Sequence, residues 1–290
     1  MKKAFKILAV VMALVLIGTV FAACGKKTDG EEKGKVTAKV IDIKLSDEQY
    51  AFAVNPNNAE LLEKVNKFLA EIKANGKFDE VINNYFGDGK PVEITSAVED
   101  KTKDQLIVVT EPGFEPFEYT IGDKFAGIDM EIAKLLADSL GKELVIKTID
   151  FDSIFSTLNT NGADIGMAGI TVSPDREKLV KFSDSYYNAS QELIVKSTDT
   201  KFDNCKTADD VAKLLKELPE TTKIGVQSGT TGNAYVDGSE DLGFDGLTAK
   251  ATPYTNGSLA VTAMLNGDVD YVIIDEAPAK RITKAVNAMQ

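Results

Sequence analysis

Residues 164–187 read DIGMAGITVSPDREKLVKFSDSYY, and this stretch decides how the rest of the chain is interpreted. Its single arginine, Arg176, follows a glycine-containing apolar segment that predicts a strand (165–170) and precedes a second strand signal at 182–184. An arginine in a loop at a strand end can present its planar guanidinium to a carboxylate through two parallel hydrogen bonds. The alternative is an exposed surface arginine, because charged side chains mostly remain in solvent.

The same stretch closely resembles the bacterial extracellular solute-binding proteins of family 3, which bind amino acids for ABC importers. The resemblance extends over nearly all of the chain that follows the N-terminal signal described below. It implies a two-lobed α/β fold of the type 2 periplasmic-binding-protein class, with a free amino acid between the lobes, no cofactor, no metal and no enzymatic activity. It also implies that Arg176 binds the α-carboxylate of the ligand.

Two aromatic residues extend the resemblance. Phe114 lies in the segment EPGFEPF (111–117), and Phe151 lies in DFDS (150–153). In the family, the rings at these positions cover the two faces of the ligand side chain, and two rings form an apolar sandwich of defined geometry. The alternative for such aromatic residues is ordinary core packing.

Residues 225–232, GVQSGTTG, lie between a predicted strand and a predicted helix. Backbone N–H groups of such a loop can face an anion. A Gly/Thr loop is by itself usually only a turn, and this one lacks the lysine and spacing of a P-loop. The resemblance implies that Thr231 helps to hold the ligand carboxylate and that Gln227 faces the ligand side chain.

Asp275 follows the apolar segment 269–274 and begins the sequence DEAP. An acid at the carboxyl end of an α/β strand lies where such sheets bind ligands, although aspartate is also a favoured helix N-cap. The family has its ammonium-binding carboxylate at this position. Gly169 and Thr171 match positions whose carbonyl and hydroxyl complete the ammonium and carboxylate sites. Family members often have Ser or Thr at 168 and 169, so backbone groups must serve here.

Glu111 is at the family position nearest the far end of the ligand side chain. A buried carboxylate requires a cationic partner, and Gln227 keeps this end of the pocket polar. These two residues favour a polar or cationic amino acid and leave its identity open.

The N-terminus has the pattern of a secretion signal: residues 1–23 begin with three lysines, continue with the apolar run 7–20 and end in small residues. This run is shorter than the roughly 20 apolar residues of a transmembrane helix. The small residues before Cys24 resemble a lipoprotein cleavage box, with an unusual Phe21, and predict a lipid on Cys24. A plain signal peptide is the alternative. Residues 24–35 are polar and charged, as expected of a tether.

The composition excludes several functional classes. The net charge is −12, and removal of a signal with three lysines and no acid would take it to −15. Such an acidic chain without an arginine cluster is a poor nucleic-acid binder. The absence of histidine excludes Ser/His/Asp and Cys/His nucleophiles and histidine-containing zinc sites. The two cysteines are Cys24 and Cys205, so lipidation of Cys24 leaves no internal disulfide.

Predicted strands and helices alternate from residue 106 onward, which is typical of α/β layers on mainly parallel sheets. The charged segment 87–105 reads as a linker, with a candidate short strand at 92–94. The predicted strands are 36–45, 49–54, 106–110, 144–148, 165–170, 193–196, 223–227 and 269–274. The predicted helices are 61–72 (capped by Asn58), 77–86, 129–140, 151–159, 207–218, 259–265 and 276–288.

The family-like segments occur in an unusual order. In the family, material like 269–286 is followed by a strand, a return crossing and two terminal helices, whereas here the equivalent segments lie at 40–87. This order resembles a circular permutation in which the terminal piece has moved to the front and the linker joins it to the usual start. Permutation requires chain ends that lie close together at the surface. The alternative is a duplicated fragment on a truncated gene.

These observations lead to one hypothesis with two alternatives. Lobe 1 comprises residues 51–188, including the linker; lobe 2 comprises 36–50 and 189–290; the hinge crossings lie near 47–51 and 188–191. A lipid-anchored monomer on the outer face of the bacterial cell membrane would capture an amino acid and dock on an ABC transporter permease. The alternatives are a sensory ligand-binding subunit and a periplasmic dehydratase-like enzyme, for which Glu111 is the candidate general acid.

Overall fold

The structure is a computed structural model that describes residues 35–289. The predicted signal peptide, Cys24 and all of the tether except Lys35 lie outside the described residues. Within residues 35–289, no helix combines the length and apolar character that crossing a membrane requires.

The chain alternates short strands and helices. The strands are β1 (Ala38–Ile41), β2 (Glu48–Tyr50), β3 (Ala53–Val54), β4 (Gln105–Thr110), β5 (Tyr119–Ile121), β6 (Lys124–Ala126), β7 (Glu143–Thr148), β8 (Ile165–Gly166), β9 (Lys181–Phe182), β10 (Tyr187–Ala189), β11 (Gln191–Lys196), β12 (Lys223–Gln227), β13 (Lys250–Tyr254) and β14 (Tyr271–Asp275). The helices are α1 (Ala59–Ala74), α2 (Lys77–Phe86), α3 (Ile128–Ser139), α4 (Ile154–Asn159), α5 (Pro174–Glu177), α6 (Ala208–Lys216), α7 (Thr231–Asp237), α8 (Gly257–Asn266) and α9 (Glu276–Met289), and a 3₁₀ turn covers Phe151–Ser153.

The strands form two five-stranded sheets. The first sheet has the order β7-β4-β8-β3-β9, and the second has the order β1-β11-β14-β12-β13. In the first, β4 is parallel to β7 and β8; in the second, β12 is parallel to β13 and β14. In the first sheet β3 is antiparallel to β8 and β9, and in the second sheet β11 is antiparallel to β1 and β14. The predicted α/β class is confirmed.

Two further strands connect the sheets. β2 pairs antiparallel with β10, so that Glu48 lies opposite Ala189 and Tyr50 lies opposite Tyr187. β2 follows β1 of the second sheet and precedes β3 of the first, and β10 lies between β9 and β11 in the same way. The chain therefore passes from one sheet to the other at both strands of this ladder.

Both faces of each sheet are buried, as expected of parallel α/β layers. On β4, Leu106 and Val108 pack with the apolar faces of α1, α2 and α3, while Val109 packs on the opposite face with α4. On β14, Val272 packs with α8 and α9, while Ile273 packs with α6. The alternation of strand side chains thus places one helical layer on each face.

The N-terminal helices follow their sequence signals. The side chain of Asn58 accepts a hydrogen bond from Leu61 N at 3.0 Å and caps α1, as predicted. The buried residues of α1 recur at helical spacing, and α1 and α2 both contact α3 on the first sheet. β1, by contrast, is an edge strand of the second sheet. The first 50 described residues are therefore divided between the two sheets.

Several predicted boundaries are wrong for identifiable reasons. The predicted strand 165–170 is reduced to β8, because Gly169 has a φ of +52° and turns the backbone. The predicted strand 49–54 is split into β2 and β3, which belong to different ladders. The candidate strand 92–94 is a single bridge between Ile94 and Phe125. The pattern missed the β5–β6 hairpin and β13, an edge strand that tolerates Pro253.

Candidate ligand-binding site

A small cavity lies where the two sheets meet. Its walls come from segments that follow parallel strands of both sheets, which is where open α/β sheets bind ligands. The lining residues are Phe114, Glu118, Phe151, Ala168, Gly169, Thr171, Arg176, Gln227, Thr230, Thr231 and Asp275. Eight of the nine residues that the sequence proposes for ligand contact therefore line one cavity. The ninth, Glu111, accepts a hydrogen bond from one of the eight, Gln227.

Arg176 lies on α5, which begins with the Ser173 cap and a proline. Its Nη1 donates to the carbonyl oxygen of Thr171 at 2.6 Å, and its Nη2 donates to the carbonyl oxygen of Gly229 at 3.0 Å. The guanidinium also lies 5.3 Å from the Phe151 ring centre, within cation–π range. Burial lowers the pKa of Arg176 to about 10, so it is fully charged at neutral pH. Arg176 is half-buried, which contradicts the exposed alternative.

Asp275 is the last residue of β14 and is buried. Its Oδ1 accepts a hydrogen bond from the Tyr50 hydroxyl. Burial and the nearby charge of Glu48 raise the pKa of Asp275 to about 7, although hydrogen bonds from Tyr50 and Gln191 oppose this shift. A buried carboxylate of this kind stabilises a cation that enters the cavity.

Gly169 lies against two aromatic rings. A Cβ at this position would come within 2.7 Å of Phe114 and 3.3 Å of Tyr50, so a larger residue would need both rings to move. Its N–H donates to Asp129 Oδ2 at 2.9 Å. Asp129 also accepts from the Tyr186 hydroxyl at 2.6 Å, and burial raises its pKa to about 7. The turn that carries Gly169 is thus held by a buried acid that sequence reasoning missed.

The hydroxyl of Thr171 is committed to a protein group. It donates to Glu48 Oε2 at 2.6 Å, and a threonine hydroxyl has one proton to donate. This arrangement differs from the hydroxyl role that the resemblance implies for Thr171 at the ligand carboxylate. Glu48 has no local sequence signal, because its burial depends on segments more than 100 residues away.

Glu111 and Gln227 form one contact across the sheets. Gln227 Nε2 donates to Glu111 Oε2 at 3.1 Å, and burial raises the pKa of Glu111. Gln227 is the last residue of β12 and lines the cavity, whereas Glu111 lies behind it. Thr231, the first residue of α7, is also buried at the cavity wall.

Glu118 is the most unusual residue of the cavity. It is buried, and its Oε2 has no hydrogen-bond partner among the described residues. Burial raises its pKa well above the ordinary value, with Asp129, Glu111 and Asp275 adding to the shift. The Oε1 atom of Gln227 is likewise a buried acceptor that nothing in residues 35–289 satisfies. Unsatisfied buried acceptors cost free energy, so this cavity fits a ligand that carries N–H donors.

A cluster of three carboxylates lies outside this cavity. Oxygens of Asp42, Glu192 and Glu276 lie within 4.8 Å of one another. The Lys280 ammonium is 2.7 Å from Asp42, 2.9 Å from Glu276 and 3.6 Å from Glu192. The lysine already supplies the positive charge that these acids require.

Comparison with known proteins decides the family. A model of the bacterial extracellular solute-binding proteins, family 3, matches residues 106–237. A solved structure of an ancestral arginine-binding protein bound to arginine is 33% identical with a TM-score of 0.53, over 63% of this chain and 75% of that chain. This chain belongs to the bacterial extracellular solute-binding proteins, family 3. The predicted family and its two-lobed type 2 periplasmic-binding-protein fold are confirmed.

Relatives of this family 3 protein are named for amino acids. The arginine-binding extracellular protein ArtP of Bacillus subtilis is 36% identical over 44% of this chain and 46% of its own length. A probable histidine-binding protein of Neisseria gonorrhoeae is 31% identical over 59% of this chain and 58% of its own length. The chain thus spans about half the length of these relatives. An enzyme also matches, the membrane-bound lytic murein transglycosylase F of Methylobacillus flagellatus, at 24% identity over 60% of this chain and 35% of its own length.

Proposed function

We propose that this protein captures a free polar amino acid with a cationic side chain and delivers it to an ABC importer. The observation that carries the proposal is the pairing of Arg176 and Asp275 on the wall of one cavity. A guanidinium and a carboxylate in one small pocket match the α-carboxylate and α-ammonium groups of a free amino acid. Phe114 and Phe151 supply apolar surface for the ligand side chain, and Thr231 and Gly169 line the same cavity.

Buried acceptors without a donor support the proposal that the ligand has a cationic side chain. Glu118 Oε2 and Gln227 Oε1 are buried without donors among the described residues, and Glu111 adds a carboxylate behind Gln227. An ammonium or guanidinium group would satisfy these acceptors and neutralise a buried acid. A neutral apolar side chain would leave them unpaired.

Binding would close two lobes around the ligand. Lobe 1 would comprise residues 51–188 with the linker 87–105, and lobe 2 would comprise 36–50 and 189–290, with β2 and β10 as the hinge. Two hydrogen bonds between the proposed lobes support this closure: Arg176 Nη2 donates to the Gly229 carbonyl oxygen at 3.0 Å, and Ser228 Oγ donates to Asp152 Oδ2 at 3.1 Å. A ligand that contacts both lobes only when they meet favours this form.

The protein would act as a lipid-anchored monomer on the outer face of the bacterial cell membrane. The signal-like residues 1–23 and Cys24 support this location, as do the extracellular and periplasmic names of relatives. Its partners would be the free amino acid, the membrane through the lipid, and a transporter permease, with no cofactor or nucleic acid.

A circular permutation of the family order is the second part of the proposal. β1 forms an edge of the second sheet beside β11, although β1 ends at Ile41 and β11 begins only at Gln191, and α1 and α2 cover the first sheet. The match leaves a quarter of the solved arginine-binding chain uncovered. A terminal piece moved to the front would explain both facts, and the tether would then leave from lobe 2.

One alternative is an enzyme of the same fold. Glu118 is buried at the cavity and its pKa is raised, which is how a carboxyl group is kept protonated as a general acid. Turnover of a prephenate-like substrate would favour this reading over binding alone. A sensory subunit would instead bind an amino acid without a permease and ATPase encoded beside its gene.

A thermal-shift screen of the twenty amino acids, ornithine and cystine tests the main proposal. A ligand that binds the native state raises the melting temperature. We expect arginine, lysine or ornithine to give the largest shift, with calorimetry confirming one site. Stabilisation by apolar amino acids alone, or by none of the set, would contradict the proposal.

A further inference from the structure

Glu48 is a buried carboxylate beside the cavity that the proposed ligand contacts leave unexplained. It lies on β2 and is 7% exposed. Its Oε2 accepts from Thr171 Oγ1 at 2.6 Å, and its Oε1 accepts from Ser46 Oγ at 2.6 Å and Gln191 Nε2 at 2.9 Å. Three donors compensate this carboxylate for the water that it loses on burial. Glu48 itself does not line the cavity.

The donors to Glu48 come from both sides of the hinge ladder. Thr171 follows β8 of the first sheet, and its carbonyl oxygen accepts from Arg176 Nη1 at 2.6 Å. Gln191 begins β11 of the second sheet and lies opposite Asp275 in the β11–β14 register. Glu48 stands on the crossing strand between them. One carboxylate therefore connects the neighbours of both charged residues of the cavity.

We propose that Glu48 is a positioning residue of the amino-acid site, which aligns Thr171 with Arg176 on one side and Gln191 with Asp275 on the other. This role rests on the proposed function. Because Glu48 belongs to a crossing strand, the same hydrogen bonds couple lobe closure to the assembly of the site. Its contribution is distinct from that of the residues that touch the ligand.

The charge of Glu48 has a second, separable effect. It faces Asp275 and is, after burial, the largest cause of the raised pKa of that carboxyl group. A variant that removes the charge will therefore change the pH dependence of binding, which a purely structural role would not. The groups that face Asp275 are Glu48 and Tyr50 from β2, Gln191 from β11, Arg176 from α5, Glu118 before β5, and Tyr187 from β10.

The test is calorimetry of Glu48→Gln with L-arginine and L-lysine as probes between about pH 5 and 8. The substitution removes the charge and replaces one acceptor oxygen with an NH2 group, and this should weaken binding by about tenfold or more at the upper pH. Removal of the like charge should lower the pKa of Asp275. The midpoint, which is the pH at which affinity is half lost on acidification, should therefore move lower by about one unit. Glu48→Asp keeps the charge but shortens the side chain, and should lose affinity without moving this midpoint.

Glu192→Gln is the matched control. Glu192 is a fully buried carboxyl group next to Gln191 on β11, and its charged neighbours are Lys280, Asp42 and Glu276 rather than Asp275. We expect its affinity to stay within about threefold of the wild type, with an unchanged midpoint. The proposal is overturned if Glu48→Gln behaves like Glu192→Gln, or if both lose affinity equally without a shift in midpoint.

A milder variant covers the case in which Glu48→Gln does not fold. Ser46→Ala removes one donor to Glu48 but keeps its charge, so it should lower affinity by a smaller factor without moving the midpoint; wild-type affinity in this variant would overturn the proposal. If the wild-type protein binds neither arginine nor lysine, the proposed function fails, and the role of Glu48 fails with it. Wild-type binding together with unaffected Glu48 variants would overturn the positioning role alone.

Discussion

Arg176 and Asp275 carry the opposite charges of the cavity and are held in opposite ways. Arg176 is half-buried and its pKa, about 10, keeps it charged at any physiological pH. Its guanidinium already donates to carbonyl groups of Thr171 and Gly229. Asp275 is buried with a pKa of about 7, and the Tyr50 hydroxyl donates a hydrogen bond to its Oδ1.

The difference separates a permanent charge from one that the environment controls. The cation is available whether or not a ligand is present, whereas the anion loses its charge when the ligand-free site meets mild acid. A ligand ammonium would pair with Asp275 and lower its pKa again. We therefore expect Arg176 to determine whether binding occurs and Asp275 to determine the pH range in which it occurs.

The largest expected effect is that of Arg176→Ala. Removal of a bidentate partner from a desolvated ligand carboxylate should cost about 3 kcal/mol or more, which is over a hundredfold in affinity. Arg176→Lys keeps the charge without the planar fork and should recover only part of this loss. Calorimetry of both variants, with circular dichroism to confirm the fold, measures the effect. Affinity within about threefold of the wild type in Arg176→Ala would remove this residue from the site.

Asp275→Asn should weaken binding severely and make the ligand-free protein more stable. The raised pKa means that the folded state favours the protonated carboxyl group, so stability falls as pH rises from about 4 through 7. Asparagine removes this penalty and should raise the free energy of unfolding at about pH 8 by up to about 4 kcal/mol. Urea unfolding across this pH range measures it.

The same pKa predicts the pH profile of the wild type. Ligand affinity should be full above about pH 7 and should fall as Asp275 is protonated, by up to about tenfold per pH unit. Asp275→Asn should show a flatter profile. Unchanged ligand binding in Asp275→Asn would return this residue to the role of a helix cap.

A smaller and selective effect is expected from the side-chain end of the cavity. Glu118→Gln removes a buried carboxylate with an unpaired oxygen. It should weaken the binding of arginine and lysine by about 2 kcal/mol and leave the binding of neutral ligands such as glutamine unchanged. Glu111→Gln should act in the same direction but less, because Glu111 already pairs with Gln227. Equal losses for cationic and neutral ligands would show that these acids support the pocket rather than recognise the side chain.

The smallest effect is expected from restoring the family order. Joining Gln290 to Val36 by a short linker and opening the chain within 87–105 should leave ligand affinity within about threefold of the parent. A fragment that begins at Gln105 should in contrast be unstable, because it lacks β1, β2, β3, α1 and α2. A stable, ligand-binding fragment of this kind would show that the N-terminal segment is a separate module and would contradict the permutation.

The sequence alone determined the α/β class, most elements and the identity of the charged pair. Apolar runs and caps are local signals, and the Asn58 cap and the stripe of α1 follow from them. The neighbours of Arg176 and Asp275 carried the resemblance that selected these residues. Strand ends were less predictable: β8 ends at Gly166, short of the left-handed turn at Gly169, and β13 depends on pairing with β12 rather than on its own residues.

Only the tertiary structure revealed Glu48, Asp129 and Glu118. Each is an acid whose importance lies in burial and in its hydrogen-bond partners, and these are properties of distant segments that meet. Glu48 is buried by residues 123 and 143 positions away, and Glu118 is notable for an oxygen that no donor among residues 35–289 reaches. Sequence can identify a charged residue, but the cost of burying its charge is set by the surrounding fold, and that cost is what makes these acids functionally informative.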